Sequence, residues 1–212
     1  MNVPIFNPLR FVGFTTLATS VLIILNQMYG YMINDPEHVV QLANTPPVIL
    51  YSSLNVVAFF LLLVSLVGLY GHQARVTGRF GFMAFLVALF GSMLVSGDVW
   101  FETFVVPMVA QHAPALVGAS HPIFIVGAFL TFTSFSLGWF LVGMASFRAR
   151  VFPRGAAILL MLGAVVGFLP LTTPRLVVLA LAIGWMGYAL LTDKTDERRD
   201  LGVAVANEQI VG

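Results

Sequence analysis

The sequence contains no cysteine and very little charge. Without cysteine there are no disulfides, no thiolate metal ligands and no thiol nucleophile. Charged residues make up 9% of the 212, where soluble globular chains carry about 25%. That is too little charge to coat a water-facing surface of this size. Net charge is +1 and no long basic run occurs, so nothing points to nucleic acid. Lys194 is the only lysine and lies in the C-terminal tail, which excludes a Schiff base inside a helical bundle. Dinucleotide, phosphate-loop, nucleophile-elbow and CxxC motifs are all missing. No cofactor is indicated.

Apolar side chains are what the chain has in abundance. The hydrophobic fraction is 59% and the mean hydropathy +0.96. Such a chain needs an apolar solvent on its outside. In a bilayer the backbone must satisfy its own hydrogen bonds, which leaves helices as the natural solution here. The expected fold class is therefore all-α, a polytopic transmembrane helix bundle whose partner is the lipid bilayer.

Apolar runs of membrane length predict six spans, over 11–33, 48–71, 80–110, 123–147, 156–171 and 176–192. The fifth rises only ~24 Å against a ~30 Å hydrocarbon core. It is read as a thin span, because Arg175 in the following turn is costly at mid-membrane. The first run is too long for a signal peptide and no small-x-small cleavage site follows it directly, so it is expected to stay as a helix. Residues 1–192 form the membrane domain and 193–212 a polar tail.

Basic residues set the orientation. Arg10, Arg75, Arg79, Arg148, Arg150, Arg154, Lys194, Arg198 and Arg199 all fall on one side of this arrangement, and Arg175 alone on the other. The positive-inside rule then places both termini in the cytoplasm, with segments 34–47 and 111–122 outside. The expected location is the cytoplasmic membrane of a bacterium, multi-pass.

Small residues mark where helices meet, since apolar surface gains little by leaving lipid. Ala84, Ala88, Ser92 and Ser96 recur at a spacing of four and form one such stripe. Gly127, Thr131, Ser134 and Gly138 form another, and Gly163 with Gly167 a third. Contacts within one bundle are expected from these, with a homo-oligomer as the alternative. Trp100, Tyr29, Tyr31 and Tyr51 gather towards the outer interface, and Trp185 and Tyr188 towards the inner one, as an aromatic belt does.

The segment 97–107, GDVWFETFVVP, stands apart. Asp98 and Glu102 are four residues apart and share a helix face. Asp98 lies ~27 Å along a helix that enters at Phe80, close to the outer interface. One reading is two solvated carboxyls on an emerging helix. A second is a polar pocket, since carboxyls embedded in a span usually face the bundle interior or a wet cavity, and a third is a buried hydrogen-bond node with a purely structural role. Asn26, Tyr29, Asn55, Thr131 and Ser134 fall at comparable depth and complete the candidate ligand site. His112 and His121, in the outer loop, could join the carboxyls as metal ligands. They lack a recognised ligand spacing such as HExxH, so no metal is assigned.

Two stretches carry a resemblance: PLRFVGFTTLATSVLI at the start, and VFPRGAAILLMLGAVVGFL, a Phe-Pro-Arg turn leading into a Gly-rich span. In both, and in its longer outer loop after the first span, the chain resembles a family of small six-helix bacterial integral membrane proteins of uncharacterised function. The resemblance implies fold and location, and assigns no catalytic residues. The segment 97–107 lies outside the shared pattern. The working function is binding or transport of a small or lipidic molecule through an outward-facing polar pocket around Asp98 and Glu102. Two alternatives are a membrane enzyme that acts on a lipid or isoprenoid with a carboxyl as general acid, and a non-catalytic partner subunit.

Overall fold

Asn7 opens the first helix by accepting hydrogen bonds from the backbone N–H groups of Leu9 and Arg10 at 3.0 and 3.2 Å. Pro8 follows at the first helical position, where its missing N–H costs nothing. The structure, a computed structural model, describes residues 7–33, 38–117, 121–168 and 175–192. The tail and its three basic residues lie outside these. Among the described residues every regular element is helical: α1 (Pro8–Ile33), α2 (Val39–Leu42), α3 (Pro46–Phe104), α4 (Val106–His112), a 3₁₀ turn (Pro114–Leu116), α5 (Pro122–Ala149), α6 (Arg154–Phe168) and α7 (Val177–Thr192).

Helix α3 holds two of the expected spans. At 59 residues it would extend ~88 Å if straight. It folds back instead at Gly78, whose φ of 57° and ψ of −148° are non-helical. Contacts between its two arms, 46–77 and 79–104, fix their register. Thr103 Oγ1 donates to the Ser52 carbonyl at 3.1 Å, and the Tyr70 ring stacks on Phe85 at 4.3 Å. Both pairs are symmetric about the fold, so the arms run antiparallel.

The third expected span, 80–110, is interrupted. The second arm ends at Phe104 and α4 starts at Val106. Pro107 has no N–H to continue the hydrogen-bond ladder and its ring crowds the preceding turn. The Asn44 side-chain amide donates to the Pro107 carbonyl at 3.1 Å, which ties this break to the chain just before α3.

Packing follows chain order in a closed circuit. α1 lies on the first arm, the second arm on α5, α5 on α6, α6 on α7, and α7 returns to α1. Each neighbouring pair is antiparallel. Thr19 and Ser65 hydroxyls meet at 3.0 Å between α1 and the first arm, and Ser20 Oγ donates to the Ala180 carbonyl at 2.7 Å between α1 and α7. The second arm and α5 approach most closely: a methyl group on Gly138 would collide with the Ala88 backbone, and one on Gly91 with the backbone at Ser134 and Phe135. Ala84, Ala88 and Ser92 are buried as the stripe predicts, with Ser96 half-buried. Gly127 departs from expectation, being exposed with nothing near it.

Among the described residues three helices, α1, α3 and α5, are long and apolar enough to cross a membrane. α6 and α7, with 15 and 16 residues, rise only ~24 Å. Large apolar side chains such as Phe14, Leu25, Phe60, Phe90 and Leu162 stand exposed around the outside. On a water-soluble monomer this would be an aggregation hazard, whereas in lipid it is the solvent-matched surface.

Candidate functional site

Five helical segments of the circuit and the turn that leads into α7 contribute to one chamber of about 120 Å³ at the end of the bundle where α1 finishes and α7 begins. Gln27 comes from α1, and Tyr51, Asn55 and Phe59 from the first arm. Val95, Asp98, Val99 and Glu102 come from the second arm, and Phe132 and Phe135 from α5. Gly167 closes the α6 side, and Arg175 and Leu176 stand at the entry to α7.

Helical phase explains this lining. Val95, Asp98, Val99 and Glu102 repeat at three and four residues, so they form one stripe turned towards the chamber. Asp98 is half-buried and Glu102 stands exposed at the rim. The Arg175 guanidinium lies 4.9 Å from the centre of the Phe132 ring, a cation–π distance. Formally the chamber holds two acids and one guanidinium.

Buried amides surround these charges. Gln27 is 6% exposed, and its Oε1 accepts no hydrogen bond. Asn55 is 8% exposed and lines the same space. A buried acceptor without a donor is unfavourable by about 1–3 kcal/mol. Below, the floor is aromatic: Phe59 and Phe135 have ring centres 6.4 Å apart, and Phe135 and Trp139 6.3 Å. Trp139 is fully buried and donates its indole N–H to Ser92 Oγ at 3.1 Å.

Of the sequence-predicted residues, Asp98, Glu102 and Asn55 are brought together in the chamber. Asn26 is one layer behind: its side-chain amide donates to the Tyr51 carbonyl at 3.3 Å and so braces a chamber residue. Tyr29, Thr131 and Ser134 are half-buried and outside the lining. Their depth matches but their phase does not, because one residue of offset rotates a side chain by about 100°. The neighbours Phe132 and Phe135 take the inward positions. Gln27, Tyr51 and Arg175 were missed by sequence reasoning. A glutamine in an apolar span was the available signal for Gln27, and the lone outer arginine for Arg175.

The histidines stay apart from the acids. His112 Nδ1 contacts the Met108 carbonyl of its own helix at 3.0 Å, and His121 caps α5 by accepting from Ile123 N–H at 3.3 Å. Among the described residues no three His, Asp or Glu side chains cluster as metal ligands. Comparison of the chain with protein-family profiles, curated proteins and solved structures finds no match.

Proposed function

We propose that this chain is a six-span integral protein of a bacterial cytoplasmic membrane, akin to the small six-helix family it resembles, and that it binds a small polar group in an outward-opening chamber. One observation carries the reading. Five helical segments and the turn before α7 converge on a space that holds Asp98, Glu102 and Arg175 beside the buried amides of Gln27 and Asn55. Groups so costly to place in an apolar bundle are usually retained for a role.

Volume and charge narrow the occupant. Roughly 120 Å³ is below the ~300–1,000 Å³ of drug-sized sites. It suits a headgroup or a small solute with a few non-hydrogen atoms. Two acids against one guanidinium favour a ligand that includes a cation. The packed floor of Phe59, Phe135 and Trp139 weighs against a through-route, and so favours binding over an open transport path. The exposed rim position of Glu102 weighs against a sealed acid catalyst.

Outward opening follows from charge. Arg10, the fold at Gly78 with Arg75 and Arg79, and Arg148 to Arg154 at the α5–α6 junction share the end opposite the chamber. The positive-inside rule turns that end to the cytoplasm.

A structure determined in nanodiscs made from total bacterial lipid should contain density larger than water between Asp98, Asn55 and Arg175. The same density should be lost in Asp98→Asn, a change that keeps side-chain size and so keeps the fold. A chamber filled by water alone in the parent protein would overturn the reading.

A further inference from the structure

We propose that the end of the bundle opposite the chamber carries a binding surface for the headgroup of an anionic phospholipid, built by Arg75, Arg79, Arg148, Arg150 and Arg154 from the bend in α3 and the α5–α6 turn. Such a surface requires only that the bundle lies in a membrane, whatever the chamber holds.

The two turns are joined into one unit. The buried Ser146 hydroxyl donates to Gln73 Oε1 at 2.7 Å, which ties the end of α5 to the end of the first arm. The Arg148 guanidinium lies 4.9 Å from the centre of the Phe80 ring, the neighbour of Arg79. The His72 and Phe152 rings meet at 5.6 Å. All five arginines are exposed. The acids among the described residues, Asp98 and Glu102, both lie at the chamber end, so no described carboxylate offsets the five charges.

The positive-inside rule accounts for the number of these charges but not for their placement. Two of them stand where the local backbone favours another residue. Arg150 closes α5 with φ of 56° and ψ of 27°, a left-handed conformation usually given to glycine because a Cβ is unfavourable there. Arg154 opens α6, and the partial positive charge of a helix N-terminus favours an acid over a cation. Arginines at neighbouring loop positions would orient the chain equally well without either cost. A bound anion accounts for both positions, since it pairs with the guanidinium groups and with the N-terminus of α6 together.

The anion is a lipid phosphate by its surroundings. Every Lys or Arg among the described residues is arginine, whose fork of N–H donors matches phosphate oxygens in pairs. Phe82 and Phe147 are exposed one turn or less to the bilayer side of Arg79 and of Arg148 and Arg150. Cationic groups bordered by apolar side chains on the membrane side suit a headgroup with its acyl chains attached, whereas a free phosphate would use only the charges.

The full chain, purified and equilibrated with equal amounts of dioleoyl phosphatidylglycerol and dioleoyl phosphatidylethanolamine, should be assayed for retained lipid by native mass spectrometry. One arginine at an anionic lipid surface contributes about fivefold, so engagement of two or more should favour phosphatidylglycerol by at least about tenfold. Arg154→Gln should lower that preference about fivefold. Arg10→Gln removes the same charge at the same end, but on α1, which packs on the first arm and α7, and it should leave the preference intact. Arg150→Gly should lower the preference while the thermal midpoint holds or rises, because glycine suits the left-handed backbone; a loss of binding through misfolding would lower both. Equal retention of the two lipids by the parent protein would overturn the proposal. That is also the result expected if the acidic residues between 193 and 208 occupy the arginines instead. Equal losses in Arg10→Gln and Arg154→Gln would overturn it too, since the preference would then come from diffuse charge and not from this surface.

Discussion

Trp139 shows how a single buried hydrogen bond can be tested. Its indole N–H has one partner, Ser92 Oγ, in a fully buried site. Ser92→Ala removes the acceptor and leaves the donor stranded, at about 1–3 kcal/mol. The variant should therefore unfold at lower temperature, with the loss read by tryptophan fluorescence on heating in nanodiscs. Ala88 tests the opposite error. It faces Gly138 across the tightest helix contact, and Ala88→Leu forces in three carbons where no void exists. Overpacking of this kind is destabilising by about 1–3 kcal/mol, and a variant of unchanged thermal midpoint would place Ala88 against lipid. What the sequence disclosed at this scale was depth. Rise per residue put Asp98, Glu102 and Asn55 at one level, and they do share a chamber. Phase was hidden. Asn26 and Gln27 are adjacent, as are Thr131 and Phe132, and only packing against neighbouring helices decides which of each pair turns inward.

Helix α3 carries the clearest lesson among the elements. The polar stretch around Arg75 and Arg79 marked the break between two spans, because arginine is costly in the bilayer interior. The identity of the hinge was not legible, since a glycine in an apolar helix signals close packing as readily as a turn. Gly71 and Gly78 look alike in sequence, and a methyl group on either would meet nothing within 4 Å. They differ in backbone. Gly78 has φ of 57° with ψ of −148°, a region close to glycine-only, while Gly71 is helical. Gly78→Ala should therefore destabilise by about 1–3 kcal/mol, and Gly71→Ala should stabilise by up to ~1 kcal/mol. Thermal unfolding of the pair separates backbone strain from packing, and equal shifts would contradict the hinge. Pro107 was not read as a break, because the apolar residues on both sides of it form one continuous run. Hydropathy does not register a missing N–H, so the end of the second arm at Phe104 emerged only in three dimensions.

For the whole molecule, the closed antiparallel circuit and the charge distribution point to the same orientation. Six segments in chain order return α7 to α1, so an even number of antiparallel segments keeps Arg10 and Thr192 at one end. Arg75, Arg79, Arg148, Arg150 and Arg154 share that end, and Arg175 and the chamber lie at the other. Positive charge is retained on the cytoplasmic side during insertion, so the chamber should face outward. The cysteine-free sequence makes this testable on a clean background, because any introduced thiol is the only one. Ala115 and Arg150 are both exposed, one beyond α4 and one at the close of α5. A membrane-impermeant maleimide should label Ala115→Cys on intact bacterial cells, whereas Arg150→Cys should react only after permeabilisation. Labelling of both on intact cells would mean that the helices do not separate these sites across a membrane. Reversed labelling would mean that the bundle spans but the chamber faces the cytoplasm, and its ligand would then have to be sought among cytoplasmic molecules or in the inner leaflet.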